Sequence, residues 1–131
     1  MISIEEMQTE LENIAEALPP EFYEELNGGI ILLPEAKLHE KSRANDALFI
    51  LGEYHRSGSM GRYISIYFGS FERVYGQLGN DEIIEKLGNT LRHEFRHHIE
   101  SLAGNYDLEI IDSQYIAEYL TGHDYEYKIN N

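Results

Sequence analysis

The 131-residue sequence contains no cysteine, which excludes both a disulfide framework and a thiolate metal site. Any metal would have to be held by histidine and carboxylate side chains. A chain without thiols suits a reducing compartment, and a cytoplasmic location is expected. Basic residues are scarce too: 10 Lys and Arg stand against 24 Asp and Glu, for a formal net charge of −14. That field repels phosphate backbones and anionic membrane surfaces at long range, so neither nucleic acid nor membrane is expected as a partner. The start, Met1-Ile2-Ser3-Ile4-Glu5-Glu6, lacks the basic residues and continuous apolar run of a signal peptide, and no later run approaches membrane-spanning length. The acidic excess would gather cations near the surface, although it serves solubility equally well.

What is present fits one α+β domain over residues 1–131, since 42% hydrophobic content at this length is enough to bury a core without covalent staples. Ser3 and Glu6 form a capping box, and Ile4, Met7, Leu11, Ile14 and Leu18 recur at helical spacing, so a first helix is predicted to about Leu18, where Pro19-Pro20 stops it. Pro20 opens a second short helix through Glu25, stopped at Asn27-Gly28-Gly29. Ile30-Ile31-Leu32-Leu33 reads as a strand, the stretch from Glu35 to Asp46 as polar, and its lone His39 as hydrated. Ala47 to His55 and Arg62 to Phe68 read as two strands of a hairpin around the glycines of residues 56–61. A short helix over Ser70 to Leu78 precedes a long one from about Glu82 to Ala103, ended by Gly104. Leu108 to Ile111 returns to a helix capped by Asp112 and packed through Tyr115, Ile116 and Tyr119. A small three- or four-stranded sheet packed on the long helix and the N-terminal helix is the expected architecture.

The chemistry concentrates on the long helix, in His93-Glu94-Phe95-Arg96-His97. Each residue advances about 100° on a helix, so His97 lies roughly 40° around from His93 and one turn beyond it, and both imidazoles share a side. Glu94 can face the same cavity and accept a proton from a metal-activated water, which is the physical content of the His-Glu-x-x-His pattern. Ile84, Leu87, Leu91, Phe95, His98 and Leu102 cluster on the side opposite His93, as a core stripe. His98 falls in that stripe and is assigned a structural role with a buried ring hydrogen bond. With six His and abundant Glu, the five-residue pattern arises by chance in roughly a few per cent of shuffled chains, and the ordinary alternative is a solvated helix face.

A longer match adds to the motif. The N-terminal helix, the Gly-Gly-Ile-Ile-Leu-Leu-Pro segment, Tyr63-Ile64-Ser65-Ile66-Tyr67-Phe68 leading to Phe71-Glu72-Arg73, and the run Leu91-Arg92-His93-Glu94-Phe95-Arg96-His97-His98 resemble, in that order, the minimal zincin-like metallopeptidases, a bacterial family of short chains. The resemblance implies a minimal zincin-like fold and an Asp-type zincin site. In such a site Zn²⁺ is held by two His and by an Asp reached through a Gly-x-x-Asp step. Gly104-Asn105-Tyr106-Asp107 supplies such a step four residues farther from the motif than the compact family pattern, whose Gly and Asp positions are here Glu100 and Ala103. Four residues are about one helical turn, or 6 Å, so a turn at Gly104 would have to bring Asp107 back to the metal. Glu100, roughly 20° around from His93, is the rival third ligand, with Glu109 and Asp112 behind it.

The expected function is zinc-dependent hydrolysis of a peptide or protein substrate, with His93, His97 and Asp107 or Glu100 as ligands and Glu94 as general base. An extended peptide could pair with a sheet edge, for which Arg62 to Phe68 is the candidate strand. The competing readings are a protein that binds metal or a partner without useful proteolysis, and an interaction module that never sees metal.

Overall fold

The structure is a computed structural model that describes residues 1–42 and 47–106. Helix α1 spans Ile4–Ala17, and its entry is the expected capping box: Ser3 Oγ accepts from the Glu6 amide at 3.1 Å while the Glu6 carboxylate accepts from the Ser3 amide at 2.8 Å. Met7 and Leu11 are its buried residues, and Leu18 just beyond it is buried as well. The next helix is a single 3₁₀ turn, Pro20–Tyr23, shorter than the helix through Glu25 anticipated from sequence. The chain leaves it through Glu24 and Glu25, the latter in the left-handed region with φ 60°, a conformation no non-glycine residue carries through a helix.

Strand β1 (Gly29–Leu33) pairs in parallel with β5 (Gly61–Tyr67), and β4 (Gly52–Ser57) pairs antiparallel with β5, giving the order β1-β5-β4. The strand expected over Ala47 to His55 is divided. Phe49–Ile50 (β3) pairs instead with Lys37–Leu38 (β2) in a separate two-stranded sheet, and the buried Leu51 is the pivot whose carbonyl still accepts from the Tyr67 amide. One residue therefore switches the chain between two sheets. The hairpin between β4 and β5 closes over Gly58-Ser59-Met60, with Gly61 at φ +72° supplying the left-handed position that a three-residue hairpin loop requires.

The order of strands corrects one expectation. Strand β5 lies in the middle of its sheet, paired on both sides, so it has no edge to offer an extended peptide; the edge strands of the described sheet are β1 and β4. The reason lies in β5 itself, where Ile64 and Ile66 on one face and Ser65 and Tyr67 on the other are all buried, a two-sided burial typical of a central strand.

Helix α2 (Phe68–Tyr75) follows β5 directly, and α3 runs from Asn80 to Tyr106. Its start has acidic residues Asp81 and Glu82 in the first turn, which oppose the positive end of the helix dipole, and Glu82 accepts from the Gly79 amide at 3.4 Å. The helix continues through Gly104, so the stop and turn expected there do not form; a lone glycine costs a helix only about 1 kcal/mol, less than the packing of the turns before it contributes. Leu108 to Ile111 and the helix expected from Asp112 lie outside the described residues.

The core joins α1, α3 and the three-stranded sheet: Met7, Leu11, Phe22, Ile64, Ile66, Phe71, Ile83, Leu87, Leu91 and Phe95 are buried together. Phe95 is boxed by Phe22 and Tyr23, with ring centroids 5.6 and 5.1 Å away. The stripe on α3 begins at Ile83 rather than Ile84, and it is wider than one face. Asn89, Thr90, His93 and Glu94 are buried too, because α3 is covered by the sheet on one side and by α1 on another. The ordinary alternative, a solvated helix face, therefore does not describe His93 or Glu94, although His97 is half-exposed. Gly52 permits the sheet's approach: a Cβ there would meet Thr90 Cγ2 at 3.0 Å and Ile66 Cδ1 at 3.1 Å.

Candidate metal centre

His93 and His97 stand one turn apart on α3, and their Nε2 atoms converge to 3.1 Å, the rings meeting edge to face at 85°. Two imidazole nitrogens on a tetrahedral zinc, each about 2.0–2.1 Å from the metal, are about 3.3 Å apart. The pair thus has the spacing of two ligands of one ion, which a shared N–H···N hydrogen bond between the rings would also give. His93 is 7% exposed and Glu94 only 2%, so one candidate ligand and the candidate base sit at the bottom of the site, while the half-exposed His97 forms its rim.

Beside them a cleft of about 490 Å³ opens between the edge strand β4 and α3, lined by Glu53, Tyr54, Arg56, Glu94, His97, Glu100 and Ser101. Alternation along β4 turns Tyr54 and Arg56 toward the helix: the Tyr54 hydroxyl meets His98, and Arg56 reaches Ser101. These wall residues were not singled out in the sequence. The period-two pattern of the strand was a signal for them, but only if the strand's partner was known.

Among the described residues no group of three or more His, Asp or Glu is arranged to hold a metal. Two donors, His93 and His97, fit one. Asp107, Glu109 and Asp112 lie outside the described residues. Glu100 is described, and its carboxylate lies 3.7 Å from Nδ1 of His97, the ring nitrogen that does not face His93. In that position it is placed to orient the His97 ring, the usual task of a carboxylate behind a histidine ligand.

His98 has the structural role expected of it. Its Nε2–H donates to the Glu24 carbonyl at 2.7 Å, and its Nδ1 accepts from the Tyr54 hydroxyl at 2.8 Å, whose oxygen in turn accepts from Arg62 at 3.0 Å. Burial holds its pKa below the ordinary histidine value, with the Glu24 carbonyl opposing the shift. The ring thereby ties α3 to the strained Glu24-Glu25 turn and to β4.

A second polar cluster lies on the other face of β4 and β5. Glu53 accepts from Lys37 Nζ and from the Tyr67 hydroxyl, each at 2.6 Å, and His55 Nε2 is 2.7 Å from Ser65 Oγ. Although burial alone would raise it, the Glu53 carboxyl is held below its usual range by the hydrogen bonds from Lys37 and Tyr67. Ser65 is 2% exposed, so this cluster fastens β2 to the sheet and presents no accessible nucleophile.

No protein-family model matches the sequence, and no curated protein is similar to it. Among solved structures, a conserved hypothetical protein from Thermo thermophilus is similar, with 32% sequence identity and a TM-score of 0.65. The match covers 78% of this chain and 98% of that one. The chain belongs to the family of that protein. The relative's description assigns no activity, so the family membership settles the fold and leaves the chemistry to the site. No helix among the described residues is long and apolar enough to cross a membrane.

Proposed function

We propose that this protein is a zinc-dependent peptidase in which His93 and His97 hold the ion and Glu94 is the general base. The observation that carries the reading is the convergence of the two Nε2 atoms at 3.1 Å beside a cleft whose lining includes Glu94. When bound, Zn²⁺ supplies Lewis acidity, which makes water a nucleophile near neutral pH and polarises a carbonyl. Glu94 takes the proton of the attacking water and delivers it to the leaving amine; its burial keeps solvent from competing for that proton. His97 and His93 would hold the ion beside the cleft, and the edge of β4 offers backbone groups to an extended peptide. Asp107 and Glu100 are the two candidates for the third ligand in this reading; because α3 runs on through Gly104 to Tyr106, about 13 Å of helix beyond His97, Glu100, less than one turn from His97, is the better placed of the two. A cytoplasmic setting, in keeping with the absence of cysteine, is part of the same proposal.

A second reading, a metal-binding scaffold without turnover, is favoured by the presence of only two ligands among the described residues. One paired experiment separates the two. Zinc titration and cleavage of an unbiased peptide library are measured on the wild type and on Glu94→Gln, which keeps the size and hydrogen bonding of the side chain but removes the base. The peptidase reading expects zinc retained in both and turnover lowered about 10²- to 10⁴-fold in the variant. A wild type that holds zinc and cleaves nothing makes the scaffold the better reading, and a variant as fast as wild type removes Glu94 from the role of base.

A further inference from the structure

Glu53 lines two cavities at once, the cleft of about 490 Å³ beside Glu94 and His97 and a second of about 390 Å³ on the β2 side that also takes in Lys37. Every donor it meets comes to one of its two oxygens: Lys37 Nζ and the Tyr67 hydroxyl each lie 2.6 Å from Oε1, and His55 Nε2 is 3.7 Å from the same atom. A carboxylate has about four acceptor sites, so Oε2 keeps its own, and among the described residues no donor reaches it. Although burial opposes it, Lys37 and Tyr67 hold the Glu53 carboxyl below its usual range, so the group is charged at neutral pH. Its side chain is only 22% exposed, and a charge this far out of water attracts a partner more strongly than one at the surface. We propose that Glu53 is a specificity-determining residue of the cleft, its Oε2 taking a cationic group, an ammonium or a guanidinium, that the substrate carries about two residues from the bond to be cleaved.

The spacing follows from the way β4 runs alongside α3. A Cβ on Gly52 would meet Thr90 Cγ2 at 3.0 Å, and Arg56 reaches Ser101, so the strand from Gly52 to Arg56 keeps step with the helix from Thr90 to Ser101. Thr90 to His97 is about 10 Å along the helix axis, or about three residues of extended peptide, and Glu53 stands one strand residue nearer. A peptide whose scissile carbonyl is beside His97 therefore brings a group about two residues away to Glu53. The long-range field makes the same choice, because a chain of net charge −14 draws cationic peptides toward it. Lys37 sits on Oε1, so it weakens the attraction of a cation to Oε2 without occupying its place. The cation can come from two sources, the free N-terminus of a peptide or a Lys or Arg side chain. The inference rests on the peptidase reading for its choice of ligand, but its test reads binding and needs no turnover.

The probe is full-length Glu94→Gln with equimolar zinc, titrated calorimetrically with three kinds of peptide built on one neutral sequence. One is blocked at both ends, one has a free N-terminal amine and an amidated C-terminus, and one is blocked at both ends with a single Lys moved through the sequence. The two charged kinds, or one of them, should bind about tenfold more tightly than the neutral one, the scale of a partly buried charge-assisted contact. The preference should collapse when Glu53→Gln is added, a change that keeps an acceptor for Lys37 and Tyr67. It should grow about threefold with Lys37→Met, which removes the competing charge of a partly exposed side chain; a Glu53 that only fastens β2 predicts no such gain. Lys37→Met decides alone if the Glu53 variant does not fold. Preference for the free amine alone identifies the peptide N-terminus; preference for the Lys peptide alone identifies a basic side chain. Equal affinity for all peptides, no binding of any, a preference that survives Glu53→Gln, or one that Lys37→Met fails to raise overturns the proposal. Wild-type turnover is scored separately: cleavage without a cation preference removes only the role of Glu53, whereas cation-dependent binding without cleavage removes only the peptidase reading.

Discussion

Glu100 approaches His97 from the side of Nδ1, at 3.7 Å, while Nε2 of the same ring faces His93 at 3.1 Å. The two nitrogens of one imidazole thus look in different directions, one toward the candidate metal position and one toward a carboxylate that is 65% exposed. Loss of an orienting carboxylate this exposed should weaken zinc binding by about tenfold or less, at the low end of such effects. If Asp107 is the third ligand, Glu100→Ala shows that small loss and Asp107→Ala a much larger one, both read by zinc titration. The opposite ranking would make Glu100 a direct ligand.

The two histidines of the motif should separate in their cost to stability. His97 has a half-exposed side chain, so His97→Ala should abolish tight zinc binding and change the metal-free melting temperature little. His93 is buried, and His93→Ala leaves a cavity between α3 and its neighbours that should cost about 1–3 kcal/mol. Thermal denaturation with chelator present measures both. Equal stability of the two variants would contradict the burial of His93.

The stability of the metal-free protein should depend on pH in a stated direction. Burial lowers the pKa of His98 and of His55 below the ordinary value near 6.5. For a histidine depressed in this way the unfolded chain binds its proton first, so the folded state is fully favoured above pH 6.5 and loses stability as pH falls below it. The melting temperature should therefore be flat from pH 8 to 7 and decline between 6.5 and 5. His98→Gln, which retains a donor toward Glu24, should flatten that decline. A decline of the same slope in the variant would assign it to other groups.

Tyr54 is predicted to matter for stability beyond its size. Its hydroxyl donates to His98 Nδ1 and accepts from Arg62, so Tyr54→Phe leaves a buried acceptor unmet at His98. A loss of about 1–3 kcal/mol is expected, measurable by urea denaturation. A loss below about 0.5 kcal/mol would mean that the chain from Arg62 through Tyr54 to His98 contributes little.

Local features were legible because they depend on residues a few positions apart. The Ser3 to Glu6 capping box, the stop at Pro19-Pro20, strand β1 before Pro34 and the shared side of His93 and His97 all follow from helical and strand geometry within one or two turns. The assignment of His98 to the core followed from the same arithmetic. Misjudged features depend on what lies across the fold. The break at Leu51 reflects the presence of β2 as a second partner, and helix α3 passes through Gly104 although its sequence carries a stop signal there. Both are cases in which packing outweighs local preference.

The sequence by itself determined that one helix would carry two imidazoles and a carboxylate on adjacent positions, because 3.6 residues per turn is a property of the backbone and needs no neighbour. It also determined that thiolates take no part. Only the tertiary structure decided that His93 and Glu94 are buried, that β5 is central and β4 the edge beside the cleft, and that Arg56 meets Ser101 across 45 positions of sequence. Those facts depend on which face of the helix the sheet covers and on the order in which its strands pair, and strand order is set by burial summed over the whole core rather than by any segment of the chain.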